Sequence, residues 1–153
     1  MATPLYAGPR IPVSSAPVCD VQPALEVLLI EDSPVLTDRL REQLTQIPGV
    51  RLMGTAETEE GAVALCINTQ ADVLVLDLHL KHGTGFGVIR ALRMLGRRPD
   101  VVVLTNYTLL QYQLEAQALG VRYFLDKSRE FGRLGAVLQE ISELRGRRGG
   151  DHH

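Results

Sequence analysis

The chain has 153 residues and a formal net charge of -2, with 45% hydrophobic and 22% charged residues, enough for one domain with its own core. That balance excludes a global electrostatic case for direct nucleic-acid or anionic-membrane binding, and no apolar run reaches the length needed to span a bilayer. Cys19 and Cys66 are the only two cysteines and form no disulfide framework; with no secretory signal, a reducing, cytoplasmic setting is expected.

Residues 1–24 hold Pro4, Pro9, Pro12, Pro17 and Pro23 among small residues and read as a flexible extension. Residues 27–31 form a short apolar strand. Residues 34–47 follow as a helix, with Ser33 as N-cap and Pro34 at the first position. Its Leu36, Leu40, Leu44 and Ile47 fall at helical spacing, and Pro48-Gly49 ends it. Residues 50–56 are a second strand. Thr58 then caps a helix reaching about residue 69 that buries Ala62, Val63, Cys66 and Ile67. The third strand, 73–76, shows no polar alternation and should be covered on both faces.

Residues 81–87 read as a flexible, glycine-rich loop. It leads into a helix with Val88, Ile89, Leu92 and Leu95 on one side. Residues 101–104 are a fourth apolar strand, 108–119 a helix closed by Gly120, and 121–125 a fifth strand. The last helix, 130–144, carries Leu134, Val137, Leu138, Ile141 and Leu144. Residues 146–153 read as a flexible tail, with Arg145, Arg147 and Arg148 as solvated charges. The folded part is thus 25–145. Five alternating strand–helix units make an α/β fold, a doubly wound parallel sheet with helices on both faces.

In open α/β sheets, sites form at the carboxyl ends of the strands. The residues following the strands are Glu31 and Asp32, then Glu57 and Thr58, then Asp77, Thr105 and Lys127. Each alone has an ordinary role as turn former, helix cap or solvated charge. Together they place three acids, a hydroxyl and a lysine at one end of one sheet. Carboxylates that close require a neutralising cation. Hard oxygen ligands without His or Cys suit Mg²⁺. Lys127 then supplies a fixed positive charge and Thr105 a hydroxyl donor, and Asp77 is arranged to accept a phosphoryl group.

This pattern resembles the response-regulator receiver domain of two-component signalling. The pieces are the acid pair in LLIEDS, the acceptor in LVLDLHLKHGTGFGVI, the threonine in VVVLTN and the lysine in YFLDKS, separated by 45, 28 and 22 residues. The resemblance implies a (βα)5 fold with flavodoxin-like strand order 2-1-3-4-5. It implies Mg²⁺ held by Glu31, Asp32, Asp77 and the main-chain carbonyl of His79. It also implies phosphoryl transfer to Asp77 from a histidine kinase or phosphotransfer protein. Thr105 and Phe124 would then shift and repack a face that binds an output protein or forms a homodimer. Such a chain is no enzyme beyond its own phosphorylation and dephosphorylation.

Two residues modulate that expectation. Asn106 stands where a small residue normally borders the phosphate's access route, with Tyr107 beside it, so slow entry of water and small donors is expected. His79, two residues after Asp77, is either placed to affect dephosphorylation or a solvated loop residue.

The run Gly83, Gly85, Gly87 reads G-x-G-x-G and matches neither dinucleotide nor P-loop fingerprints. With the chain ending within ten residues of the last expected helix, a stand-alone receiver is the leading reading. A phosphorylation-independent interaction module and a receiver fragment of a longer regulator stay open. A haloacid-dehalogenase-like phosphatase would want an acid where His79 stands.

Overall fold

The computed structural model describes residues 24–150, so the leader's proline-rich part, Cys19 and the last three residues lie outside the described region. Five strands alternate with five helices: β1 (Leu25–Ile30), α1 (Pro34–Thr45), β2 (Val50–Ala56), α2 (Glu59–Asn68), β3 (Val73–Leu76), α3 (Gly85–Met94), β4 (Asp100–Thr105), α4 (Leu110–Ala118), β5 (Tyr123–Asp126) and α5 (Leu134–Gly150). All pairings are parallel, and the sheet order is β2-β1-β3-β4-β5. This is the doubly wound (βα)5 arrangement and the strand order expected.

The middles of the central strands are apolar because alternate residues feed two cores. Leu28, Ile30, Leu74, Leu76, Val101 and Val103 pack with α2, α3 and α4. Val27, Leu29, Val73, Val75, Val102, Leu104 and Leu125 pack with Leu40 and Leu44 of α1 and Leu134, Leu138 and Ile141 of α5. The caps fall where local chemistry puts them. Ser33 Oγ accepts the Leu36 N–H at 3.3 Å, and Thr58 Oγ1 accepts the Gly61 N–H at 3.0 Å. Gly120 closes α4 at φ +86°.

Several expectations need correction. Gly85 and Gly87 are not loop residues but form the first turn of α3, capped by Thr84 Oγ1, which accepts the Gly87 N–H at 3.0 Å. Ile67 and Leu95 are exposed, at the last turn of α2 and the C-cap of α3. The segment 130–133 is not α-helical; Phe131–Arg133 make a 3₁₀ turn before α5 begins at Leu134. At its other end α5 continues to Gly150.

Arg145 is not a solvated tail charge. Its guanidinium reaches Asp100 Oδ2 at 3.0 Å, Asp72 Oδ1 at 3.4 Å and the Asp72 carbonyl at 2.9 Å. These contacts anchor the glycine-containing end of α5 against the starts of β3 and β4.

Candidate functional site

Sheet register brings the site together. Ile30 pairs with Leu76 and Leu76 with Val103, so the residues that follow these strands emerge at one level. Past the strands, the Asp77 N–H donates to the Ile30 carbonyl at 3.0 Å, Glu31 N–H to Ala56 at 2.9 Å, and Lys127 N–H to Thr105 at 2.9 Å. The ends of all five strands are thereby fixed by main-chain bonds, leaving the side chains to converge. Among the described residues, the buried polar side chains are those of Glu31, Asp77 and Thr105. All three belong to this one end of the sheet.

Lys127 ties two of them together. Its Nζ lies 2.7 Å from Asp77 Oδ2 and 2.8 Å from Glu31 Oε1, with its side chain only 10% exposed. The other oxygens are also placed: Ser33 N–H donates to Glu31 Oε2 at 3.1 Å, and His79 N–H to Asp77 Oδ1 at 3.4 Å.

Burial pushes the Glu31 carboxyl above its ordinary value, against the downward pull of the hydrogen bond and charge from Lys127. Burial also pulls the Lys127 ammonium down, but its hydrogen bonds to Asp77 and Glu31 outweigh that and leave it above its ordinary value. The two directions favour opposite charge states of the pair. With two carboxylates in contact, the charged ammonium is the firmer conclusion.

Asp32 completes the acidic group. One carboxylate oxygen from each of Glu31, Asp32 and Asp77 lies within 4.8 Å of the others. Three hard oxygen donors at that spacing, two of them buried, fit a small divalent cation such as Mg²⁺. Nothing soft is in the set.

The remaining candidates surround this centre. Thr105 is fully buried, and its Oγ1 accepts the Tyr107 N–H at 3.1 Å. His79 is exposed, and its ring lies 5.4 Å from that of Tyr107, which in turn meets Tyr112 edge-on at 6.2 Å. Asn106 is exposed beside them. Phe124 is half-buried, packed partly on the α2/α3/α4 core, and borders a groove with Thr108, Gln113 and Arg129. Of the acids after β2, Glu57 pairs with Lys81 at 3.2 Å.

One participant escaped the sequence reading. Glu59 opens α2, yet its Oε1 accepts the Thr84 N–H at 3.0 Å, reaching into the segment that follows Asp77. An acid in a first helical turn is an ordinary dipole-matching residue, so nothing local marked it.

The family model for the response regulator receiver domain matches residues 27–139. The chain is 27% identical over 122 residues to the sensory transduction protein LytT of Enterococcus faecalis, covering 80% of this chain and 50% of that protein. It is 34% identical over 120 residues to protein-glutamate methylesterase/protein-glutamine glutaminase 6 of Anaeromyxobacter dehalogenans, covering 78% of this chain and 33% of that protein. The chain thus spans half or less of these relatives. The receiver domain of Francisella response regulator 1452 superposes with a TM-score of 0.71 at 18% identity, over 78% of this chain and 98% of that one. The register-built acidic centre and these matches lead to one conclusion: the chain belongs to the response-regulator receiver family.

Proposed function

We propose that this chain is a phospho-accepting signalling receiver whose acceptor is Asp77. The observation that carries the reading is the position of Asp77: buried, with one oxygen on the Lys127 ammonium at 2.7 Å and its carboxylate within 4.8 Å of those of Glu31 and Asp32.

The donor is a phosphohistidine of a histidine kinase or phosphotransfer protein. The P–N bond breaks as an Asp77 carboxylate oxygen bonds to phosphorus, and the imidazole leaves. Glu31, Asp32, Asp77 and the main-chain carbonyl of His79 would hold Mg²⁺. When bound, this ion neutralises charge on the transferring group. Lys127 holds the acceptor carboxylate in place and offers positive charge to the phosphoryl oxygens. Thr105 supplies a hydroxyl at the same level, now accepting from the Tyr107 amide. Its reorientation toward a phosphoryl oxygen, with inward rotation of the half-buried Phe124, passes the change to α4, β5 and α5. Leu109, Leu110 and Leu114 at the start of α4 are exposed, suited to an output protein or to a homodimer of phosphorylated chains.

A titration with beryllofluoride and Mg²⁺, followed by amide chemical shifts, tests this. Saturable shifts at Thr105 and Phe124 that require both reagents are expected. A spectrum that does not respond would overturn the reading.

A further inference from the structure

We infer that Glu59 is a positioning residue for the phosphoacceptor site, latching the segment that runs from Asp77 into α3. The inference rests on the receiver reading above and adds a residue from another element to it.

The β2–α2 connection is fastened along the β3–α3 connection by a series of bonds. Lys81 N–H donates to the Glu57 carbonyl at 3.0 Å, and Glu59 N–H donates to the His82 carbonyl at 2.8 Å. The Glu59 carboxylate then accepts the Thr84 N–H at 3.0 Å. Thr84 is the N-cap of α3, so this anion lies at the positive end of that helix and takes up one of its unpaired donors.

The glycines explain why the fit is close. A Cβ on Gly83 or Gly87 would overlap the Glu59 side chain, and a Cβ on Gly85 would overlap the main-chain carbonyl of Asp77. Gly83 also stands at φ +89°, a conformation that favours glycine. The three glycines thus let one wall receive Glu59 while the other closes on Asp77 itself. Gly85 N–H bonds the Leu78 carbonyl at 2.9 Å, which locks the acceptor's own loop to the turn that Glu59 holds. The segment carries the His79 main chain, so its position sets both the Asp77 carboxylate and the neighbouring carbonyl.

Two substitutions remove the latch by independent routes. Glu59→Ala deletes the acceptor. Gly87→Ala pushes the flexible Glu59 carboxylate aside without touching main chain. Glu59→Gln keeps an acceptor oxygen for the Thr84 amide.

The readouts are hydrogen exchange at the Thr84 and Gly85 amides and the apparent affinity for beryllofluoride with Mg²⁺. Glu59→Ala and Gly87→Ala are expected to speed exchange at Thr84 and weaken binding about tenfold, the size of one charge-assisted hydrogen bond. Glu59→Gln should restore most of both. In the Glu59→Ala background, adding Gly87→Ala should weaken binding no further and should raise the melting temperature, because Ala is the better helix former. Unchanged binding in both single variants, with wild type binding normally, would overturn the Glu59 role alone. A wild-type protein that does not bind would instead overturn the receiver reading, and the positioning role with it.

Discussion

The Lys127 ammonium lies 2.7 Å from the Asp77 carboxylate across 50 residues of sequence, and its second contact, to Glu31 at 2.8 Å, makes it the cation that holds two buried acids at the end of a sheet. Removing it leaves both carboxylates uncompensated in a site that water barely reaches. Lys127→Met keeps most of the volume and should destabilise the fold by about 3 kcal/mol. Millimolar Mg²⁺ should then raise the variant's melting temperature more than the wild type's, because the metal takes over part of the neutralisation. Thermal unfolding with and without Mg²⁺ checks this; equal stability of variant and wild type would contradict it.

Arg145 has a structural task far from that site. Arg145→Ala removes contacts to Asp72 and Asp100 that are about one-third exposed, so the expected loss is modest, about 1–2 kcal/mol. Its signature should be local. Amide exchange in α5 beyond residue 141 should accelerate while exchange in β1 and β3 follows only the global change.

Cys66 gives a pH dependence with a definite sign. Burial pushes its thiol from 9.0 up to about 11, with Arg97 pulling back. The unfolded chain therefore loses this proton first, and the thiol's contribution, full below pH 9, is lost as pH rises through about 11. The stability difference between wild type and Cys66→Ala should shrink by about 2 kcal/mol from pH 8 to pH 11.5. Urea unfolding of both proteins across that range measures it. A constant difference would contradict the assignment.

Tyr107 sets its ring against that of His79 and its amide on Thr105, and on the proposed function it screens Asp77. Tyr107→Ala should open the route and speed both phosphorylation by acetyl phosphate and loss of the phosphoryl group several-fold, with little change in melting temperature. Removing the His79 ring should act in the same direction. Rates that fall in both variants would mean that the rings assist the chemistry instead of screening it.

What could be read from the sequence divides along a physical line. The strands, the caps at Ser33 and Thr58, and the convergence of Glu31, Asp32, Asp77, Thr105 and Lys127 all follow from local pattern plus the parallel sheet. Once the alternation fixes strand direction, every strand end lies on one edge. The structure added contacts between distant segments. Gly85 and Gly87 looked like loop residues because glycine is a poor helix former; they lie in the Thr84-capped first turn of α3 and are glycines where Asp77 and Glu59 leave no room for a Cβ. Arg145 looked solvated among Gly146, Gly149 and Gly150; Asp72 and Asp100 reach it only after the sheet is assembled. Ile67 and Leu95 kept the helical period but sit at the ends of their helices and are exposed. Asp77 sits in the same connection as Gly85, but Glu59, Asp72 and Asp100 come from other elements and leave no mark in the sequence around the positions they control.

The most direct test of the central claim is intact-protein mass after incubation with acetyl phosphate and Mg²⁺, beside Asp77→Asn and a metal-free control, with the incubation long enough to allow for a screened site. A single phosphoryl adduct on wild type, absent from Asp77→Asn and from the metal-free sample, is the predicted result. An adduct that persists in Asp77→Asn, or a wild-type protein that gains none and also ignores beryllofluoride, would contradict the account.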